Sequence, residues 1–333
     1  MPDWLVYIGY VAMVVVIVVL SMKLGKYVDI IDAKSNISGA FIGGVLLAAV
    51  TSLPELFTSL SAVWIVRENS MIIGNILGSD LINLAFFGVI LLVFGRGLRR
   101  KKFSTFYYTA LAVCCAMYGL AAVGLYFAEY MQFTWFSVVS PAILVLYILF
   151  VSKMPKISEA GEAKKNDTLT LKQAVVRFAI CAVVLIGASI AMTYLTDIVA
   201  DKLGLGKTFA GALLLGVATS LPELISSCTL CHRGNYNAAA GNIIGSNVFN
   251  FAILFVADVF AFMPGGSGIY ILNTDSEWLL IFGVIATVST LGMLLVQNRC
   301  SGKKALFGVY GLNTVPPLLY ILYLLITTAV IAV

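Results

Sequence analysis

Two glutamates stand in the same pentapeptide, Thr51-Ser52-Leu53-Pro54-Glu55 and Thr219-Ser220-Leu221-Pro222-Glu223, repeated 168 positions apart. Each copy lies inside an apolar run, 41–66 for the first and 209–230 for the second. A carboxylate in hydrocarbon is costly and marks a functional site by default. On a helix, Thr51, Ser52 and Glu55 share one face through spacings of four and three, as do Thr219, Ser220 and Glu223. The proline of each copy lacks the N–H that would bind the carbonyl four residues back, which frees the oxygens of Val50 and Ala218. A second segment is duplicated as well. Gly74-Asn75-Ile76-Leu77-Gly78-Ser79-Asp80-Leu81-Ile82-Asn83 matches Gly241-Asn242-Ile243-Ile244-Gly245-Ser246-Asn247-Val248-Phe249-Asn250 at an offset of 167. Within it Ser79 and Asn83, and again Ser246 and Asn250, are four apart. Apposing the two copies collects carboxylates, hydroxyls, amides and freed carbonyls. Hard cations such as Ca²⁺ take roughly six to eight oxygens of this kind, and an all-oxygen set disfavours zinc or copper. Polar glue between helices, with Gly74/Gly78 and Gly241/Gly245 permitting close approach, competes as a reading of any single serine or asparagine. It accounts poorly for a pair of glutamates at matching depth.

The elements that must position these groups are transmembrane helices. The 333-residue chain is 61% hydrophobic and 11% charged, with mean hydropathy +1.01, which places it in the all-α polytopic membrane class. Ten apolar runs are long enough to span: 4–22, 39–65, 71–94, 104–127, 134–152, 171–196, 207–231, 238–262, 277–297 and 305–332. The start Met1-Pro2-Asp3-Trp4 carries no basic segment and no cleavage site follows, so the first run is expected to remain as a helix. With the N-terminus outside, 18 of the 21 Lys and Arg fall in cytoplasmic loops, and only Arg67, Lys202 and Lys207 fall outside. That asymmetry orients the chain with both termini out. The one long polar stretch, 153–170, separates residues 1–152, holding the repeat 39–94, from 171–333, holding the repeat 207–262. Thr170-Leu171-Lys172-Gln173 has the spacing of a capping box and should open the sixth helix. Five spans per half is an odd number, so the two copies run in opposite directions. An inverted-topology repeat of this kind places its site near the midplane, between the halves.

Other signals carry less. The net charge of +5 is spread over short loops and does not indicate a nucleic-acid partner. Topology accounts for the cluster from Arg96 to Lys102. Six cysteines scattered through apolar runs indicate small core residues rather than a disulfide framework. Cys228-Thr229-Leu230-Cys231-His232 matches a haem-attachment spacing but falls at the cytoplasmic end of its helix, the wrong compartment. His232 is the sole histidine, which excludes a His-rich metal site and His-dependent catalysis. An intramembrane enzyme lacks a nucleophile–base pair, so no enzymatic activity and no cofactor are expected. A passive channel fits a doubly charged site between inverted repeats less well than alternating access. Asp258, late in the eighth span and near the outer surface, is expected to snorkel or pack.

The duplicated Thr-Ser-Leu-Pro-Glu and Gly-Asn-x-x-Gly-Ser-x-x-x-Asn segments resemble the α-repeats of the Ca²⁺/cation antiporter superfamily, most closely the short prokaryotic sodium/calcium exchangers. The motifs cover about 90 residues, and the ten-span layout covers the whole chain. The resemblance implies an antiporter of the prokaryotic cell membrane that carries Ca²⁺ and Na⁺, with no obligate protein partner beyond the lipid bilayer. It implies one Ca²⁺ site flanked by Na⁺ sites. Glu55 and Glu223 would be the central carboxylates, and Thr51, Ser52, Thr219 and Ser220 would ligate through hydroxyls or carbonyls. Backbone oxygens of Ala48 and Gly216 would join, and Ser79, Asn83, Ser246 and Asn250 would complete the shell. This chain departs from that pattern in three places. Exchangers of the family often carry Asp at the position of Asn250. The usual Gly before Thr-Ser is Val50 in one copy and Ala218 in the other. Asp80 stands where the second copy has Asn247; a third site charge, a proton carrier and a helix-packing group all remain open for it. The same fold also admits exchange of Ca²⁺ for H⁺ or for another cation.

Overall fold

The computed structural model describes residues 3–34, 47–94, 102–133, 136–152, 169–232, 236–261, 268–299 and 311–331. The linker residues 153–168 and the basic residues Arg96, Arg99, Arg100, Lys101, Arg233, Lys303 and Lys304 lie outside them. Among the described residues, the regular structure is helical apart from one two-residue strand pair. In order come α1 (Asp3–Lys34), α2 (Leu47–Thr51) and α3 (Leu53–Ser61), with a π turn over Ala62–Val66. Next are α4 (Ser70–Val93), α5 (Phe106–Tyr126), α6 (Ala128–Met131), strands β1 (Gln132–Phe133) and β2 (Phe136–Ser137), and α7 (Val139–Ser152). The second half holds α8 (Leu171–Leu203), α9 (Lys207–Ala210), a π turn over Gly211–Leu215, α10 (Gly216–His232), α11 (Tyr236–Ala261), α12 (Thr274–Arg299) and α13 (Val315–Ile331).

Among the described residues, eight helical segments are long and apolar enough to cross a membrane. Two of the ten expected spans, 39–65 and 134–152, correspond to shorter apolar helices, Leu53–Val66 and Val139–Ser152. The first is short because its chain is interrupted at Ser52 and its earlier residues, 35–46, are not described. Helix α1 continues through Lys34, beyond the apolar run that ends at residue 22. No proline stops it there, and Lys34 in the last turn suits the negative end of the helix dipole. The capping box opening α8 is present: Thr170 Oγ1 accepts the Gln173 N–H at 3.3 Å, and the Gln173 side chain accepts the Thr170 N–H at 3.0 Å.

Helices α1 and α8 pack antiparallel along the periphery, tied at one end by Asp3 to Lys202 and at the other by Lys34 to the Leu169 carbonyl. Their outward sides are apolar and exposed, with Val11, Val15, Ile180 and Val183 among them, as lipid contact requires. Helix α4 lies at the opposite extreme. It is buried nearly all round, its polar site residues included, and packs against α10, α11, α12 and α13. Helices surrounded by lipid gain little from hydrophobic burial against one another and depend on close approach. Glycines provide it at the contact between α4 and the α9–α10 segment. A Cβ on Gly74 would meet the Thr208 carbonyl oxygen at 1.9 Å, and one on Gly78 would meet Ala212 Cα at 2.5 Å. The Gly74-x-x-x-Gly78 spacing of the first copy is thus what seats the segment leading into the second half's site helix against the first half's central helix.

The two copies of Thr-Ser-Leu-Pro-Glu do not break their helices alike. In the first, Ser52 leaves helical geometry and Pro54 enters the first turn of α3. In the second, Pro222 is accommodated inside α10, and the irregularity lies upstream in the π turn Gly211–Leu215. The duplicated proline therefore does not by itself dictate a break in the helix axis. A proline removes one N–H whether or not the axis bends, and a neighbouring π turn is an alternative place for backbone distortion.

Candidate functional site

Thr51, Ser52, Glu55, Ser79 and Asn83 from the first half, and Thr219, Ser220, Glu223, Ser246 and Asn250 from the second, are all buried. Many of them meet across the halves. Glu223 Oε1 accepts from Ser52 Oγ at 3.4 Å and from Ser246 Oγ at 3.3 Å. Thr51 Oγ1 lies 3.3 Å from Ser246 Oγ, and the matching pair, Ser79 Oγ and Thr219 Oγ1, lies at 3.5 Å. Ser79 Oγ also approaches the Gly216 carbonyl at 3.5 Å, which brings that backbone position into the cluster. Its equivalent, Ala48, lies in α2.

Glu55 sits in the first turn of α3, near enough to Glu223 for their charges to repel. Thr219 is beside it but gives its proton to the Leu215 carbonyl at 2.9 Å, and both oxygens of Glu55 are without a hydrogen-bond donor. Glu223 Oε2, Ser220 Oγ, Asn83 Oδ1 and Asn250 Oδ1 are likewise buried and unpartnered. Buried polar atoms are nearly always paired. A concentration of acceptors lacking donors, anchored by two carboxylates, is a site that a desolvated cation would complete. Among the described residues, no three His, Cys, Asp or Glu side chains gather as a metal cluster. The oxygens here are mostly neutral, with two charges at the centre.

Asn75 and Asn242 are part of the machinery, a role the sequence reading left unassigned. Asn75 Nδ2 lies 3.3 Å from the Glu55 carbonyl, 3.0 Å from Thr58 Oγ1 and 3.0 Å from Ser59 Oγ. Asn242 Nδ2 repeats this with the Glu223 carbonyl at 3.3 Å, Ser226 Oγ at 2.7 Å and Ser227 Oγ at 3.0 Å. Each asparagine clamps the turn that carries its glutamate. The signal was available in the duplicated Gly-Asn pair, since Asn75, Ser79 and Asn83 continue one stripe at spacings of four.

Asp80 and Asn247 also reach across. Asn250 Nδ2 donates to Asp80 Oδ1 at 2.9 Å, Asn83 Nδ2 to Asn247 Oδ1 at 3.0 Å, and Asn247 Nδ2 to the Asp80 carbonyl at 3.0 Å. Residues later in α4 thus pair with residues earlier in α11, an antiparallel crossing. Asp258 does not snorkel. It is fully buried, and its Oδ2 accepts the Ser137 N–H at 3.0 Å, which pins the strand pair and α7 to α11.

A multi-pass helical protein with a buried, doubly acidic oxygen cluster between its halves has the architecture of a membrane cation antiporter. The chain belongs to the sodium/calcium exchanger protein family, whose model matches residues 5–153 and 173–329, and so to the Ca²⁺/cation antiporter superfamily. It is 27% identical over 285 residues to the putative antiporter CaxA of Alkalimonas amylolytica, covering 83% of this chain and 84% of that one. Its fold is similar to the crystal structure of the H⁺/Ca²⁺ exchanger CAX, with TM-score 0.68, 12% identity and coverage of 98% of this chain and 89% of the other. It is also similar to the sodium-calcium exchanger NCX_Mj, with TM-score 0.61, 20% identity and coverage of 95% and 98%.

Proposed function

We propose that the protein exchanges Ca²⁺ for Na⁺ across a prokaryotic cell membrane by alternating access, with Glu55 and Glu223 as the central ligands. The observation that carries this reading is the pair of buried glutamates, one with both carboxylate oxygens free, ringed by hydroxyls and asparagine oxygens from both halves. The similarity to NCX_Mj, a sodium-calcium exchanger, supports Na⁺ as the driving ion. Two glutamates give the empty site a charge of −2, which one Ca²⁺ or two Na⁺ neutralise. A third Na⁺ would leave a net charge moving through the membrane, worth ~2.3 kcal/mol per 100 mV.

The fold we infer is ten spans in two inverted five-helix repeats. The antiparallel crossing of α4 and α11 through Asp80–Asn250 and Asn83–Asn247 supports it, as does the antiparallel pairing of α1 with α8. The distribution of positive charges supports an orientation with both termini outside. In intact cells, an impermeant thiol reagent should therefore label a cysteine introduced at Asp275 and spare one introduced at Glu162. Labelling of both from the same side would overturn the inverted arrangement.

A second reading, Ca²⁺/H⁺ exchange, is favoured by one observation: a third buried carboxylate, Asp80, stands beside Asn250. Radioactive Ca²⁺ uptake into proteoliposomes separates the two. An outward Na⁺ gradient should drive uptake several-fold above that in vesicles equilibrated with choline, and a proton gradient alone should not. Uptake driven by protons and indifferent to Na⁺ would replace the first reading with the second.

A further inference from the structure

We propose that Asp80 is the positioning residue that turns both site asparagines, Asn83 and Asn250, so that their carbonyl oxygens face the cation. The inference rests on the assignment of the site above. An asparagine side chain has a donor end and an acceptor end of nearly the same shape, and only its neighbours decide which way it points. At Asn250 that neighbour is Asp80 Oδ1, 2.9 Å away. A carboxylate oxygen accepts and the Asn250 nitrogen donates, so the donor end is held and Oδ1 is directed elsewhere. That Oδ1 is buried and unpartnered.

The other half reaches the same result through a relay. The Asp80 backbone carbonyl can only accept, and it holds Asn247 Nδ2 at 3.0 Å. Asn247 must then offer its Oδ1 to Asn83, whose Nδ2 donates to it at 3.0 Å. Asn83 Oδ1 is left buried and unpartnered in turn. A chain of amides alone could reverse every member and pair equally well. Asp80 breaks that degeneracy, because neither of its two contacting oxygens supplies a hydrogen. The carboxylate at position 80, whose repeat equivalent Asn247 is neutral, sets the Asn250 side, and the backbone carbonyl of the same residue sets the Asn83 side. Each asparagine so held presents a carbonyl dipole, and one turned the other way would present an NH₂ group that repels a cation.

The two arms differ in a way that substitution can read. Replacing the Asp80 side chain releases Asn250 but leaves the backbone carbonyl, and hence Asn247 and Asn83, in place. In proteoliposome exchange, Asp80→Leu and Asn250→Ala should each raise the KM for Ca²⁺ about tenfold, the effect of losing one oriented ligand. The double variant Asp80→Leu/Asn250→Ala should stay near tenfold, since both changes remove the same ligand. Asp80→Leu/Asn83→Ala should approach a hundredfold, since those changes remove different ones. Asp80→Asn, which still offers Asn250 an acceptor, should fall between the parent and Asp80→Leu. Asp80→Ala makes the same predictions as Asp80→Leu and replaces it if the leucine variant does not reach the membrane. The inference fails if Asp80→Leu/Asn250→Ala multiplies to a hundredfold. It also fails if Asp80→Asn equals Asp80→Leu, which would make the charge, not the orientation, the property that matters. Glu55→Gln in the same assay keeps the two levels apart: transport surviving in that variant overturns the site itself, whereas its loss alongside a failed cycle overturns only the role of Asp80.

Discussion

Replacing Glu55 or Glu223 with Gln is expected to reduce Ca²⁺ exchange by more than a hundredfold while the protein still folds and reaches the membrane. A singly charged oxygen at about 2.4 Å from Ca²⁺ interacts with it by on the order of 14 kcal/mol at an effective dielectric of about 20. If hydration of the ion offsets three quarters of that, about 3 kcal/mol remains, more than two decades of affinity. Folding should survive because glutamine is nearly isosteric and neither oxygen of Glu55 accepts a hydrogen bond in the protein. Removing a buried charge that lacks a partner relieves a cost rather than adding one, so Glu55→Gln should melt at or above the parent temperature in detergent without Ca²⁺. Glu223→Gln should melt slightly lower, since Glu223 Oε1 accepts from Ser52 and Ser246. Radioactive Ca²⁺ flux and thermal unfolding measured on the same preparations check both parts. Transport near the parent rate in either variant would remove the glutamates from the site.

Asn75→Leu and Asn242→Leu should instead act on the scaffold. Leucine has a similar volume, so little packing is lost. The Asn75 amide, however, serves the Glu55 carbonyl and the Thr58 and Ser59 hydroxyls. Thr58 cannot compensate, because its own proton is already directed to the Pro54 and Glu55 carbonyls, at 2.8 and 3.1 Å. The Glu55 carbonyl keeps the Thr58 proton, but leaving the two buried hydroxyl oxygens without a donor costs about 1–3 kcal/mol each, so a loss of at least ~2 kcal/mol in stability is expected. Asn242→Leu should match it, with Ser226 already donating to the Glu223 carbonyl at 3.2 Å. Both variants should melt well below the parent, and the residual folded fraction should bind Ca²⁺ weakly because the turn under each glutamate is released. A melting temperature within a degree or two of the parent would show that these forks do not brace the site.

Much of the site was legible before any tertiary contact was known. Residue type and duplication pointed to Glu55 and Glu223, since few carboxylates occur in hydrocarbon without purpose. Helical spacing of three and four put Thr51, Ser52 and Glu55 on one face, because side-chain direction along a helix follows from its pitch. Hydropathy established the membrane class, since a lipid-embedded backbone must be helical or closed into a barrel. Other features depend on which helix faces which, and periodicity carries no record of that. Only the packed molecule brings Ser52 to Glu223 and Ser79 to Thr219 across the halves, or inserts Gly78 against Ala212. The proline motif could not say whether the axis would break, and it breaks at Ser52 yet continues through Pro222. The direction of an amide is the most local of these features and the least visible in sequence. Asn83 and Asn250 are the same residue at matching positions, and their orientation is decided by the atoms that Asp80 and Asn247 bring from the opposite half.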